Sequence, residues 1–128
     1  MEPMTDALKI VTDFQQALGK GDFEAARRLL DDRMSFHGPF DTFHSPEPYL
    51  DSLRKLSNIV DRVEIRKAMS DGNDVCLFYD TVTNTVGTAL IAEWFEVSNG
   101  KISKIHAAFD ARPFAPMFDA SARPSSEA

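Results

Sequence analysis

Residues 93–110 read EWFEVSNGKISKIHAAFD, and the way this stretch folds decides the rest. Ser98-Asn99-Gly100 sits between two apolar-rich runs. Asn-Gly adopts the positive φ angles of a tight hairpin turn, so the flanking runs over 87–97 and 101–110 are read as antiparallel strands. Period-two alternation sets Lys104, His106, Ala108 and Asp110 on one face and Ile105, Ala107 and Phe109 on the other. Glu93 and Trp94 point to opposite faces. Either Glu93 faces a pocket with Trp94 outside, or the reverse.

Working outward, Asp71-Gly72-Asn73-Asp74 and the region near Asn84 are turns that bound a strand over 75–83. A further strand covers 60–69. Cys76, Phe78 and Asp80 share one face of the 75–83 strand; Leu77, Tyr79 and Thr81 share the other. Met34 and Phe36 alternate with Ser35 and His37, which predicts a short strand over 33–37 stopped by Gly38-Pro39. Residues 40–44 read as a loop. Ser45-Pro46-Glu47 opens a helix, with serine as cap and proline in the first turn, and Tyr49, Leu50, Leu53 and Leu56 form its apolar side. At the start of the chain Ala7, Ile10, Val11, Phe14, Ala17 and Leu18 recur at helical spacing. Thr5 or Asp6 can cap that helix, Gly19 and Gly21 stop it, and Asp22 caps a shorter one carrying Phe23, Ala26, Leu29 and Leu30.

The order α-α-β-α-β-β-β-β predicts an α+β fold. Late strands joined by short turns make a mostly antiparallel, strongly curved sheet, and three helices from the N-terminal half must cover one face of it. The concave side of such a cone is where a pocket can form. A single domain is expected over 1–118, with 119–128 (Pro, Ser and Ala rich) as a disordered tail.

Composition narrows the function classes. The 128 residues are 43% hydrophobic and 27% charged, an ordinary globular balance. A formal net charge of −6 disfavours nucleic acid and anionic membrane as partners, since both need a basic surface. The one cysteine, Cys76, excludes an internal disulfide and reads as core, which fits a reducing, cytoplasmic setting. No apolar run is long enough to span a bilayer. The three histidines match no compact metal motif and no Gly-rich phosphate loop appears, so no metal and no cofactor are expected.

Four features taken together resemble a known family: the opening ALGKGDFEAARRLLDD, the strand ending in HGP, the SNGKI turn, and a final strand ending in FD. They are similar to the SnoaL-like polyketide cyclases of the nuclear transport factor 2-like superfamily, over roughly residues 5–115. The resemblance implies a cone-shaped domain with a deep, largely apolar pocket, and a homodimer packed through the sheet. It implies that Asp110 is the acid/base aspartate of the last strand. Asp80 matches the middle-strand aspartate of related epoxide hydrolases. The arginine expected two residues before it is Phe78 here, and the water-holding tyrosine and asparagine of their first strand are replaced by Ser35 and His37.

The residues themselves allow the same chemistry and blander alternatives. Asp110 among apolar neighbours would lose hydration and gain a raised pKa, usable for proton transfer; equally, it could cap the strand end or pair with Arg112 at the rim. Asp80 could share a proton with Asp110 or be a solvated strand residue. His37 has the intrinsic chemistry of a neutral base, or it is a half-buried strand histidine. His106 lies about 13 Å along the strand from Asp110, too far to bond it but within reach of one shared ligand. Phe14, Ser35, Tyr49, Phe78 and Glu93 complete the candidate lining. His44 reads as a surface residue, Trp94 as core or interface, and Phe114, Met117 and Phe118 as an apolar cluster that lids the cone or meets a partner subunit. Three functions remain open: a cofactor-independent acid/base enzyme on a small hydrophobic carbonyl compound, a non-catalytic small-molecule binder, and an interaction module working through its sheet.

Overall fold

The computed structural model describes residues 6–116; the expected tail over 119–128 and the residues Met117 and Phe118 lie outside them. Helices α1 (Asp6–Gly19) and α2 (Phe23–Arg28) come first, followed by β1 (Leu30–His37), β2 (Thr42–Phe43) and α3 (Pro46–Leu56). Then come β3 (Val60–Asp71), β4 (Asp74–Thr83), β5 (Thr88–Ser98) and β6 (Lys101–Ala108), and a single 3-10 turn over Arg112–Phe114. The six strands form one open sheet in the order β2-β1-β6-β5-β4-β3. Every pairing is antiparallel except β1 with β6. The α+β architecture of three helices on a mostly antiparallel sheet is as expected.

Local chemistry explains most boundaries. Gly21 takes φ 72° between the first two helices, a value costly for any residue with a Cβ. Asp22 then accepts a hydrogen bond from the Ala25 amide at 3.0 Å and caps α2. Asn99 and Gly100 adopt φ 53° and 78°, the left-handed pair that closes the β5–β6 hairpin. Ser45 occupies the cap position of α3, but its side chain makes no capping bond; Pro46 in the first turn pre-sets the helix instead.

Three boundaries differ from expectation. β1 begins at Leu30, three residues early, because its backbone is already tied to β6: the Ile102 amide donates to the Leu29 carbonyl at 2.8 Å. Thr42 and Phe43, read as loop, pair with His37 and Phe36 as β2, a ladder too short to show any period. β6 ends at Ala108, whose partner is Ala92, so Asp110 lies beyond the strand rather than on it.

The core forms where the helices meet one face of the sheet, α1 against β3, β4 and β6, and α3 against β1 and β2. β4 alternates strictly, with Val75, Leu77, Tyr79, Thr81 and Thr83 buried on this inner face. β5 contributes Ile91, Glu93, Phe95 and Val97 to it. Phe14 of α1 meets Phe95 edge to face at 6.3 Å, and Tyr49 of α3 stacks on Phe36 at 4.8 Å. Full burial of a ring the size of Phe14 stabilises by about 2–3 kcal/mol before packing terms. β3, an outer strand, is exposed from Asp61 onward. It is bulged near Asp61 and Arg66 and carries Arg62, Glu64, Arg66 and Lys67. Bulges and charges of this kind discourage edge-to-edge pairing.

Candidate functional site: a buried glutamate–tyrosine pair

β5 turns Glu93 into the core. The residue is only 7% exposed, and its cross-strand partners are Leu77 of β4 and Ala107 of β6. Tyr79 pairs with Ile91, which makes Glu93 its diagonal neighbour across β4 and β5. The Tyr79 hydroxyl donates to Glu93 Oε1 at 2.8 Å. Gln15 of α1 lies close enough to act on the Tyr79 hydroxyl. Tyr49 of α3 lies close enough for the Glu93 charge to act on it. Two helices and two strands therefore each bring one polar side chain to a place otherwise lined by Leu77, Ile91 and Ala107.

The electrostatics follow from burial. Loss of hydration pushes Glu93 from 4.5 up to about 7, against the opposing pull of the Tyr79 hydrogen bond. Burial first, and the neighbouring Glu93 charge second, raise both tyrosines well above the ordinary phenol value, so each remains a hydroxyl donor. A carboxyl that exchanges its proton near neutrality, beside a neutral phenol, has what proton transfer next to a carbonyl requires. Among the described residues no group of three or more His, Cys, Asp or Glu is placed to hold a metal ion.

The sheet separates the residues singled out from sequence. Phe14, Tyr49 and Glu93 are inside, with Glu93 turned to the helix-covered face and Trp94 outside at 43% exposure. Of the two readings of Asp110, the structure shows the pair with Arg112. Its side chain is about half exposed and grips Arg112, with Nε to Oδ1 at 2.9 Å and Nη2 to Oδ2 at 2.7 Å. Those hydrogen bonds draw its pKa down from 3.8 to about 2, the opposite of a desolvated acid. Asp80 faces the other side of the sheet from Glu93 and accepts from Arg66 at 3.0 Å.

His37, Ser35, Phe78 and His106 also lie on this outer face, where His37 and His106 form part of a cross-strand row. His37 stacks on His106 at 5.5 Å and His106 on Trp94 at 4.6 Å. Glu96 Oε2 lies 3.1 Å from His106 Nε2, and the Trp94 indole donates to Asp74 at 2.9 Å. His44, exposed as expected, meets His37 edge-on. Cys76, expected in the core, is half-buried on the outer face instead, because β4 alternation turns it away from Leu77.

Two open hollows among the described residues lie away from the space between the helices and the inner face. One of about 390 Å³ lies between α2 and α3, around Phe23, Arg27, Glu47 and Arg54. The other, about 230 Å³, lies on the outer face around Cys76, Phe78, Ala92, Trp94, His106 and Ala108. The inner face is filled by Phe14, Met34, Tyr49, Leu77 and Phe95, all 2% exposed or less.

Tyr79 and Gln15 are the site residues the sequence reading missed. A usable signal was present: two antiparallel strands joined by the turn near Asn84 set Tyr79 beside Glu93 once both are assigned to the buried face.

Comparison with known proteins agrees with this fold. The family model of the SnoaL-like domain matches residues 11–105. A nuclear transport factor 2-like protein of unknown function from Cytophaga hutchinsonii is 29% identical, with a TM-score of 0.76 over 89% of this chain and 98% of that one. A LEH-like epoxide hydrolase from M. tuberculosis, 21% identical, gives a TM-score of 0.72 over 88% of this chain and 89% of that one. A ketosteroid isomerase-like protein from Kribbella flavida, 13% identical, gives 0.74 over 82% and 78%. At those last two identities the likeness is one of fold. No curated protein is similar enough to count as a relative. The fold is that of the nuclear transport factor 2-like proteins. Within it, the chain belongs to the SnoaL-like family.

Proposed function

We propose that this protein is a cofactor-independent acid/base enzyme acting on a small, hydrophobic carbonyl compound, with Glu93 as the proton-transfer group. The observation that carries the reading is the Glu93–Tyr79 pair: a buried carboxyl at about 7, 2.8 Å from a phenol, in an apolar setting. A ligand carbonyl would take over the hydrogen bond that Tyr79 now gives to Glu93. The freed carboxylate would remove a proton from the carbon beside that carbonyl, becoming a carboxylic acid, while Tyr79 supports the enolate oxygen. Returning the proton to the same or another carbon completes an isomerisation or sets up a ring closure. Relatives of the same fold described as an epoxide hydrolase and as ketosteroid isomerase-like support a small-molecule reaction of this kind.

The outer face of the sheet is where a second copy would pack. Leu90, Trp94 and Met69 are exposed there at 55%, 43% and 45%, around the 230 Å³ hollow floored by Ala92 and Ala108. A two-fold interface needs knob and hollow on the same surface, and this face carries both. The single cysteine, which leaves no internal disulfide, supports a cytoplasmic setting.

A second reading, a non-catalytic binder or dimeric module, draws on the close filling of the inner face. One assay separates the two. The protein is incubated in deuterated water with a panel of cyclic ketones, and loss of the α-proton signals is followed by NMR. The enzyme reading predicts exchange above the uncatalysed rate, reduced at least about 100-fold in Glu93→Gln. Ligand-induced thermal stabilisation without exchange, retained in Glu93→Gln, supports the binder instead.

A further inference from the structure

Asp110 and Arg112 form a clasp beyond the last strand. Arg112 donates to the Asp110 carboxylate through its backbone amide at 3.1 Å, through Nε at 2.9 Å and through Nη2 at 2.7 Å. Two of those contacts are the parallel pair by which a guanidinium grips a carboxylate. The clasp lies just beyond the point where β6 loses its partner, and the Phe114 amide then donates to the Ala111 carbonyl at 3.0 Å. Both clasp residues are exposed, so the ion pair adds little to global stability. Its visible consequence is local: Phe114, six residues past the strand end, is only 4% exposed and stands edge-on to Phe109 at 5.6 Å.

The place where this ring is buried matters. Ala107 is the β6 partner of Glu93. Phe109 lies two residues further on the same side of the chain and packs against the core. Ala107 is small, so β6 puts little bulk beside Glu93; two residues on, Phe109 packs against the core cluster, and Phe114 packs on Phe109. The other groups around the carboxyl come from α1 (Gln15), α3 (Tyr49) and β4 (Tyr79). Those elements are held in the core, whereas Phe114 sits on a three-residue turn pinned by one exposed ion pair.

We infer that the Phe109–Phe114 pair is a plug over the Glu93 site, and that the Asp110–Arg112 clasp is the latch that seats it. Asp110 and Arg112 are then positioning residues, acting on the site only through Phe114. A ligand reaches Glu93 when the latch opens and Phe114 swings out. The inference rests on the proposed role of Glu93 for its purpose, but its geometry is tested separately.

The test follows the infrared band of the protonated Glu93 carboxyl against pH, assigned as the band lost in Glu93→Gln. The proteins compared are the wild type, Phe114→Ala, Arg112→Ala, and Phe23→Ala as a control for general loosening in the α2–α3 groove. Water admitted to the site restores hydration of the carboxylate, so the plug predicts that the Phe114→Ala midpoint falls by about one pH unit or more. Arg112→Ala shifts it in the same direction by less, and Phe23→Ala leaves it in place. If Phe114→Ala does not fold, Arg112→Ala alone decides, because its exposed side chain can be removed without touching the core. A wild-type midpoint near neutrality that is unchanged in both variants overturns the plug and leaves the Glu93 reading standing. A wild-type midpoint near 4.5 overturns the reading of the site itself.

Discussion

Glu93 is costly to keep. Its folded pKa of about 7 lies above the ordinary 4.5, so the native state holds a proton that the unfolded chain releases. Unfolding then sheds protons, and stability falls as pH rises from about 4.5 to about 7, levelling off above that. The gap between those two values corresponds to a loss of about 3 kcal/mol. Glu93→Gln keeps the shape and the acceptor for Tyr79 but cannot ionise. In urea unfolding it is predicted to gain about 3 kcal/mol on the wild type between about pH 4 and pH 8.5. Equal pH dependence in the two proteins would show that the carboxyl is not held in its neutral form. Tyr79→Phe acts on the same balance in the opposite sense to hydration. The hydrogen bond from Tyr79 favours the carboxylate, so its loss is predicted to move the Glu93 midpoint upward, readable by the same carboxyl titration.

At the scale of the element, the tight turns carry testable backbone chemistry. Gly100 has φ 78°, and a methyl group added there would meet open space, so Gly100→Ala brings strain without a clash. It is predicted to destabilise by about 1 kcal/mol. Gly19 ends α1 with equal space and no positive φ; Gly19→Ala is predicted to be neutral or to stabilise by up to about 1 kcal/mol. Thermal melts of the two variants check the opposite signs. Elements of this kind were legible from sequence because their causes are local: the Asn99-Gly100 turn, the Asp22 cap and the α1 stripe each sit within a few residues. What alternation could not give was which face of each strand goes inward. It grouped Cys76 with Phe78 and Asp80, and His106 with Asp110, but only the packing of α1 and α3 decides that the β4 set and His106 face out. The parallel pairing of β1 with β6 was hidden for the same reason, since it joins residues such as Ser35 and Lys104 that lie far apart in sequence. Asp110 reads as strand because Phe109 continues the alternation, yet β5 and β6 part after Ala92 and Ala108.

At the scale of the molecule, the two faces of the sheet divide the work: the inner one holds the buried acid, and the outer one presents rings and exposed apolar residues. No helix among the described residues is long and apolar enough to cross a membrane, and a second copy is the proposed cover for that outer face. Leu90→Arg, placing a charge on its most exposed apolar residue, is predicted to convert a dimer to a monomer in sedimentation velocity without altering the Glu93 titration. A wild type that sediments as a monomer across the micromolar range would contradict that assembly. The account as a whole turns on the protonation state of one side chain. Carbon-detected NMR of the Glu93 carboxyl against pH, in the intact wild-type protein, reads it directly. The account predicts a single inflection close to neutrality; an inflection near the value of a water-exposed glutamate would contradict it.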